Sequence, residues 1–187
     1  GAQLKTFGYE VPEAEAKDII SIYRETYPLI GDLWQAAQRC IVDMHSNKEF
    51  RFGRKRVLDV DVHANAIVLP SHLKMFYNDL SSTTENGRTE YDYKTREGRT
   101  RIYGGKVVEN VCQAIARCII GEQMLKIADR YRVVLTVHDS IVCCVRDAEL
   151  TEARVYIESC MRETPSWAAG LPIDCESGMG KSYGECE

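Results

Sequence analysis

A chain of 187 residues is long enough for one domain, or for one and a half. Hydrophobic residues make up 44% and charged residues 28%, which is ordinary for a globular protein, and no apolar run approaches the length of a membrane span. The formal net charge of −4 argues against a protein that binds nucleic acid through overall charge alone. We therefore expect a globular protein without a membrane partner.

The first predicted element is a helix that begins near Pro12 and runs to about Tyr27. Proline in the first turn, followed by acidic residues at the positive end of the helix dipole, favours that start. Pro28 then ends this helix or begins the next one. The second helix carries apolar residues at helical spacing: Leu29, Leu33, Ala37, Cys40 and Ile41.

The hydrophobic period changes after Glu49. Residues 57–62 alternate apolar and polar side chains, as a half-buried strand does. Together with residues 66–69 and 73–77, they predict a small β-meander.

Asn86-Gly87 is a strong signal for a two-residue hairpin turn, and residues 89–94 alternate as a strand does. We place a boundary near residue 100. Residues 1–100 form an α+β lead-in, and residues 101–187 form a more compact unit.

Two clusters of basic residues stand out against the acidic net charge. Phosphate backbones need such local clusters more than a high overall pI, although solvated loop charges give the same pattern. The clusters are Lys48, Arg51, Arg54, Lys55 and Arg56, and Lys94, Arg96, Arg99, Arg101 and Lys106.

Residues 106–129 predict one long helix with a polar stripe. The stripe consists of Lys106, Asn110, Gln113 and Arg117. These residues are spaced four, three and four apart, so they share one face. The apolar residues opposite them, or next to that face, are Val108, Val111, Ile115 and Ile119. The stripe is either a binding face or a solvent face.

Two runs rich in valine and isoleucine flank the polar triplet His138-Asp139-Ser140 in residues 133–145. Short apolar runs of this kind predict buried strands, and the triplet predicts a hairpin tip. A carboxylate held there is explained if a cation such as Mg²⁺, which prefers oxygen ligands, binds Asp139. An Asx-type turn explains the same residue without a ligand.

Eight cysteines raise the question of disulfides. There is no C-x-x-C pair and no Cys/His zinc spacing. The cysteines on or beside apolar faces predict buried free thiols in a reducing compartment such as the cytoplasm. They are Cys112, Cys118, Cys143, Cys144 and Cys160.

Residues 149–163 have the apolar spacing of a helix, and residues 171–175 predict a short strand. From residue 106 onward, the order is long helix, strand, turn, strand, helix, strand. This order resembles the C-terminal palm of family A (DNA polymerase I-like) DNA polymerases, in particular phage-type members.

The motifs that carry the resemblance run through nearly the whole chain. Val137-His138-Asp139 is similar to motif C of the family. The other similar stretches are Tyr27-Pro28, Trp34, the segment from Tyr103 to Asn110, Gln113, and Leu171-Pro172-Ile173 with Glu176.

The resemblance implies an α+β fold. A small antiparallel sheet with a central hairpin would be flanked by helices, as in the polymerase palm, over residues 101–187. Residues 1–100 would be the distal fingers and a connecting β-meander.

The resemblance also implies nucleotidyl transfer by two Mg²⁺ ions, with DNA primer–template and deoxynucleoside triphosphates as substrates. Asp139 would be a metal ligand, and His138 would support the primer end. Gln113 would contact the minor groove, where an amide tests base-pair shape without reading sequence. Further DNA contacts would come from Lys106, Asn110 and Arg117.

Some positions depart from the family pattern. Ser140 stands where many members have a Glu, and Gly105 and Glu109 stand where members have an Arg and an Asn. His72-Leu73 follow Leu69-Pro70-Ser71, where phage-type members have Gly-Arg. A finger helix and the second metal-binding Asp would precede Gly1, so we expect the C-terminal part of a larger enzyme, inactive by itself.

Two alternatives remain open at this point. One is a noncatalytic, palm-derived module that binds DNA. The other is an HD-type metal phosphohydrolase, which needs further histidine ligands, whereas His45, His63 and His72 lie in other contexts. The polymerase is the favoured interpretation, in a bacterial or phage-infected cell.

Overall fold

The computed structural model describes residues 11–49, 51–52, 58–61 and 65–186. The chain divides into two units. The first comprises Gly1–Ile67 and Phe76–Glu109, and the second comprises Val68–Met75 and Asn110–Glu187. Mixed helices and small antiparallel sheets confirm the predicted α+β class.

The first unit begins with helices α1 (Glu13–Thr26) and α2 (Pro28–His45), separated at Pro28 as predicted. Acidic residues occupy the first turn of α1 and favour its start. The apolar residues of α2 follow the i, i+3, i+4, i+7 pattern of a single buried face. The buried residues are Ala37, Cys40, Ile41 and Met44.

The predicted β-meander is present as a four-stranded sheet whose strands follow one another in chain order. Its strands are β1 (Arg51–Phe52), β2 (Leu58–Asp61), β3 (Ala66–Val68) and β4 (Lys74–Phe76). The pairing of β1 with β2 is antiparallel.

A second antiparallel sheet contains β5 (Ser81–Glu85), β6 (Arg88–Thr95) and β7 (Gly98–Ile102). The predicted Asn86-Gly87 turn joins β5 to β6, with φ of 50° and 74° at its two residues, as a type I′ turn requires. The rings of Tyr91 and Tyr93 make edge-on contacts with His45 and Tyr77, at centroid distances of 5.5 Å and 5.1 Å. The His45 contact places the sheet against the end of α2, and the Tyr77 contact joins it to the segment that follows β4.

Helix α3 (Gly104–Ala128) begins in close contact with α2. The Gly104 amide donates to Gln38 Oε1 at 2.9 Å. A Cβ atom on Gly104 would lie 2.0 Å from the Trp34 carbonyl oxygen, so only glycine fits here.

In the second unit, the rest of α3 leads into a hairpin of β8 (Arg132–Val137) and β9 (Ser140–Cys144), followed by α4 (Leu150–Arg162). One face of the hairpin packs against apolar residues of α3 and α4, as predicted. The packed residues include Ile127, Tyr131, Val133, Ile141, Cys143, Ala153 and Cys160.

Polar contacts also join α3 to α4 within the second unit. Buried Gln123 donates to the carbonyl oxygens of Met161 at 2.6 Å and Glu163 at 3.2 Å, so it satisfies the C-terminal end of α4. Tyr156 donates its hydroxyl to the Lys126 carbonyl at 2.9 Å. The two helices against which the hairpin packs, α3 and α4, are therefore joined to each other by hydrogen bonds.

The predicted strand at residues 171–175 is wrong, because this segment has no regular secondary structure. Pro172 has no amide hydrogen to give to a ladder. The Cys175 amide bonds to Asp174 Oδ1 at 2.8 Å, and Arg162 binds the same carboxylate at 2.7 Å. Within the described residues the hairpin is accordingly a two-stranded sheet rather than the centre of a larger one.

All eight cysteines are free thiols. Cys118 and Cys160 are buried as predicted, but the prediction of burial is wrong for Cys112 and Cys144, which are exposed. Cys112 adjoins the polar stripe of α3, and Cys144 lies at the end of β9. None of the helices in the described ranges has the length and apolarity needed to cross a membrane.

Candidate active site

The tip of the β8–β9 hairpin is a two-residue turn. Val137 pairs with Ser140, so His138 and Asp139 alone form the loop, and Ser140 belongs to β9 rather than to a three-residue tip. His138 has a φ of 54°, and Asp139 does not share this positive value. Such a turn, with positive φ only at its first central position, has the character of type II′, where glycine is preferred.

His138 is therefore held in a backbone conformation that non-glycine residues avoid. The cost is about 1–2 kcal/mol, and the paired strands on either side hold the turn in place. The side chains of His138, Asp139 and Ser140 are all exposed. The packed face of the hairpin thus supports an exposed imidazole and carboxylate at a well-defined position.

The fit of this tip to Mg²⁺ is incomplete. Magnesium takes about six oxygen ligands, several of them from water and substrate. Across the described residues there is no group of three or more His, Cys, Asp or Glu side chains that could hold a metal ion. Asp139 provides one carboxylate, so these residues do not form a metal site by themselves, and its role as a ligand stays a prediction.

The polar stripe on α3 includes two exposed side chains that have no partner among the described residues. Gln113 and Arg117 are exposed, and neither side chain bonds to another residue of the described ranges. Asn110 is half-buried. Lys106 bonds to both Glu109 oxygens, at 2.9 Å and 3.0 Å. Gln113 and Arg117 are therefore the most accessible members of the stripe.

The opposite side of α3 is apolar, in agreement with the predicted pattern. Its buried residues are Val107, Val111, Cys118 and Ile119. The predicted Val108 and Ile115 are half-buried. The stripe is therefore the outward face of a helix whose other face is in the core.

The second basic cluster is largely paired with carboxylates. Arg99 binds Asp79 at 2.8 Å and also binds Asp92, and its hydrogen bond lowers the pKa of Asp92. Arg101 binds Glu90. Lys94 and Arg96 are exposed.

Most of the first basic cluster lies outside the described residues. Arg54, Lys55 and Arg56 lie outside the described residues, as does His63. His45 packs its ring against Tyr91 instead of facing a metal-ligand cluster.

Two of the departures from the family pattern fit their local structure. Glu109 pairs with Lys106 in the first turns of α3. His72 has a φ of 64°, so it occupies a backbone conformation suited to the glycine expected at that position.

Sequence reasoning missed a cavity of about 850 Å³ in the first unit, between α2 and the start of α3. Its lining includes Arg24, Trp34 and Tyr103, residues that are far apart in the chain. Trp34 and Tyr103 both fall in stretches that carry the family resemblance, but no local pattern joins them.

Comparisons with known proteins agree with the geometry. The family model of DNA polymerase family A matches residues 3–185. A DNA polymerase of Bacillus phage SP02 is 38% identical over 87 residues, which cover 46% of this chain and 13% of that polymerase. No solved structure gave a significant match. The aligned region thus spans a small fraction of the phage polymerase, while the family match spans nearly the whole chain.

Proposed function

We propose, because this chain belongs to DNA polymerase family A, that it supplies a DNA-binding helix and one catalytic carboxylate to a template-directed DNA polymerase. The observation that carries the proposal is the hairpin tip. Asp139 is exposed beside His138, whose φ of 54° is strained, on a hairpin packed against two helices. A rigidly presented carboxylate suits metal-assisted phosphoryl transfer.

Asp139 would provide one of the oxygen ligands of Mg²⁺, an ion that stabilises negative charge on a transferring phosphoryl group. The other ligands would come from water, substrate and residues beyond the described set. His138, next to this carboxylate, would position the primer end. Ser140 carries no charge and would have at most a minor role.

The stripe on α3 would bind the duplex. Arg117 would contact a phosphate, and Gln113 would contact minor-groove acceptors, which every base pair presents. Asn110 and Lys106 would add weaker contacts, since Asn110 is half-buried and Lys106 is already paired with Glu109. In this proposal residues 1–100 belong to the fingers side and residues 101–187 to the palm.

The decisive test is Asp139→Ala in the complete polymerase that contains this chain. Loss of a metal ligand is worth several kcal/mol, so we expect single-turnover nucleotide incorporation to fall roughly a thousandfold. Ser140→Ala is the matched control at the adjacent position, and it should have a mild effect. Duplex binding, measured separately by fluorescence anisotropy, should stay nearly unchanged in both variants.

Gln113→Ala should lie between these two variants, because it removes a contact near the primer terminus and leaves the carboxylate intact. Near-normal turnover of Asp139→Ala would make Asp139 a turn residue and overturn the proposal. A wild-type protein that binds primer–template but never extends it would favour the noncatalytic DNA-binding alternative.

A further inference from the structure

Strand β8 contains one residue more than the ladder that pairs it with β9. Val133 pairs with Cys143. The next pair joins Leu135 to Val142, so two steps along β8 match one step along β9. Val134 is therefore the extra residue of a β-bulge. In the described ladders that join β5, β6 and β7, the residue pairs follow one another without such a shift. The bulge is thus a local feature of the hairpin that carries the candidate site.

The exposure of the side chains follows this break in the ladder. Side chains along a regular strand point alternately to the two faces of the sheet. Val133 belongs to the packed face, but the next two side chains are both exposed, Val134 at 46% and Leu135 at 45%. Thr136 is half-buried and pairs with Ile141, a residue of the packed face. The alternation therefore skips one residue at the bulge and continues beyond it.

The hairpin would keep the same inward residues without the bulge. If Val134 were deleted, Leu135 would follow Val133 directly, and the pairs on either side would join into one regular ladder. Val133 and Thr136 would still face the core, and Leu135 between them would still face outward. Burial of apolar surface therefore does not explain the extra residue.

The bulge lies three residue pairs below the tip of the hairpin. Those pairs span roughly 10 Å, at about 3.3 Å per residue. A bulge bends its strand and increases the local twist, and bulges are frequent next to active sites, where they redirect a side chain. A small change in direction at the bulge displaces the tip by on the order of 1 Å, whereas catalytic groups must be held within about 0.5 Å of their productive geometry.

We propose that the bulge at Val134 sets the direction of the hairpin tip, and thereby the place at which Asp139 presents its carboxylate. The backbone of the bulge has this effect, and not the valine side chain, which is exposed. Val134 is thus a positioning residue that acts through Asp139. The inference rests on the proposed function, since it assigns the bulge to the geometry of the same site.

Two deletions remove the bulge, and one substitution keeps it. Deleting Val134 or deleting Leu135 leaves a single outward apolar residue between Val133 and Thr136, so both deletions should give the same regular ladder. Val134→Ala is the matched control, because it removes most of the side chain and keeps the extra residue. Circular dichroism should show that all three variants are folded.

The direction of the tip can be measured in the 187-residue chain itself. Residual dipolar couplings of the backbone amides in residues 136–141 report the orientation of the tip relative to α4. In the wild type and in Val134→Ala, the couplings of the tip and of α4 should fit one common arrangement. In both deletions, the couplings of α4 should still fit it and those of the tip should not. Tip couplings that fit the wild-type arrangement in both deletions would overturn the inference.

In the complete polymerase, deletion of Val134 should lower single-turnover incorporation about a hundredfold, the effect of misplacing a reacting group by about 1 Å. Binding of primer–template, measured by fluorescence anisotropy, should stay unchanged, because α3 is not altered. Val134→Ala should incorporate at the wild-type rate, since it keeps the extra residue. Near-normal incorporation by both deletions would contradict the inference. Unfolding of both deletions would contradict it as well, because the bulge would then be needed for the fold itself.

The failure of this inference is distinguishable from the failure of the proposed function. If Asp139→Ala abolishes incorporation and deletion of Val134 does not, the proposed function holds and only the role of the bulge is wrong. If Asp139→Ala keeps normal turnover, the proposed function is wrong, and the positioning role falls with it whatever the couplings show.

Discussion

At the residue scale, the most informative position is His138. Its positive φ stores strain at an exposed tip where a glycine would sit without cost. His72 is also exposed and has a φ of 64°, but it lies in the turn between β3 and β4. The same residue type in nearly the same backbone conformation therefore occurs inside and outside the candidate site.

We predict that His138→Gly raises the stability of the chain and lowers the activity of the complete polymerase. Glycine removes about 1–2 kcal/mol of backbone strain from the folded state. It also raises the conformational entropy of the unfolded chain, which lowers stability by about 0.5–1 kcal/mol, so the net increase in the free energy of unfolding is roughly 0.5–1 kcal/mol. Thermal unfolding should show a midpoint about 1–4 °C higher. Single-turnover incorporation should fall, because the imidazole beside Asp139 is lost.

His72→Gly is the matched control for this prediction. It should raise the unfolding midpoint by a similar amount and leave incorporation unchanged. If both variants incorporate nucleotides normally, the strain at His138 reflects only the hairpin turn, and the residue has no role at the primer end.

At the element scale, α4 holds the irregular segment that follows it through Glu158. The carboxylate of Glu158 accepts hydrogen bonds from Ser177, from Arg154 at 2.9 Å and from Arg162 at 3.0 Å. These bonds lower the pKa of Glu158 from 4.5 to about 2. Arg162 in turn binds Asp174 and lowers its pKa as well.

This cluster predicts how stability depends on pH. A carboxylate whose pKa is lower in the folded state binds fewer protons there than in the unfolded state, so its stabilising effect is complete above pH 4.5. The effect is lost progressively as the pH falls toward 2. Glu158→Gln should therefore flatten the dependence of the free energy of unfolding on pH in this window. Urea unfolding followed by circular dichroism between pH 5 and pH 3 would measure it.

Ser177→Ala provides a graded comparison, because it removes one donor and keeps the two arginines. Its slope against pH should lie between those of the wild type and Glu158→Gln. A Glu158→Gln chain with the wild-type slope would show that the acid sensitivity of the fold arises elsewhere.

Local patterns predicted most elements because the forces that form them are local. Asn86 and Gly87 both tolerate the positive φ that their turn requires, so the turn between β5 and β6 was predictable. Proline cannot continue the helix that precedes it, so the boundary between α1 and α2 at Pro28 was predictable as well. The strand predicted at residues 171–175 is absent because an apolar pattern does not indicate whether a partner strand is available. There, the Arg162 side chain of α4 bonds to Asp174 and to the Cys175 carbonyl in place of a partner strand.

The candidate site was predictable only where its residues are neighbours in sequence. The flanking strands predicted that His138 and Asp139 lie at a hairpin tip, but they did not predict the positive φ of His138. The cavity between Trp34 and Tyr103 depends on Gly104, whose backbone lies against α2, and this contact between distant segments leaves no periodic signal.

At the scale of the whole molecule, the exposed polar residues of α3 and the exposed carboxylate at the hairpin tip would serve different parts of the proposed function. Gln113 and Arg117 on α3 are exposed and make no bond to another described residue. Asp139 is not part of a group of described residues that could hold a metal ion. The region aligned with the phage SP02 polymerase covers only 13% of that protein. DNA binding and catalysis should therefore separate when the chain is studied alone.

We predict that the 187-residue chain binds primer–template weakly without extending it. Arg117→Gln should reduce the slope of log affinity against log salt by about 1, because one phosphate contact is lost. Arg39→Gln, an exposed arginine on α2 outside the stripe, is the control and should keep the slope. Fluorescence anisotropy over a salt series would measure both.

Extension should be undetectable with the isolated chain under conditions in which the complete polymerase extends the same primer. One carboxylate cannot hold two metal ions around the attacking and leaving oxygens, and the described residues contain no group of three or more His, Cys, Asp or Glu side chains that could hold a metal ion. We therefore expect the isolated chain to lack the charge stabilisation that phosphoryl transfer needs. Adding Mg²⁺ in excess should not restore activity, because concentration does not replace missing ligands. Robust templated extension by the pure chain, abolished by Asp139→Ala, would mean that its residues complete a catalytic site unaided.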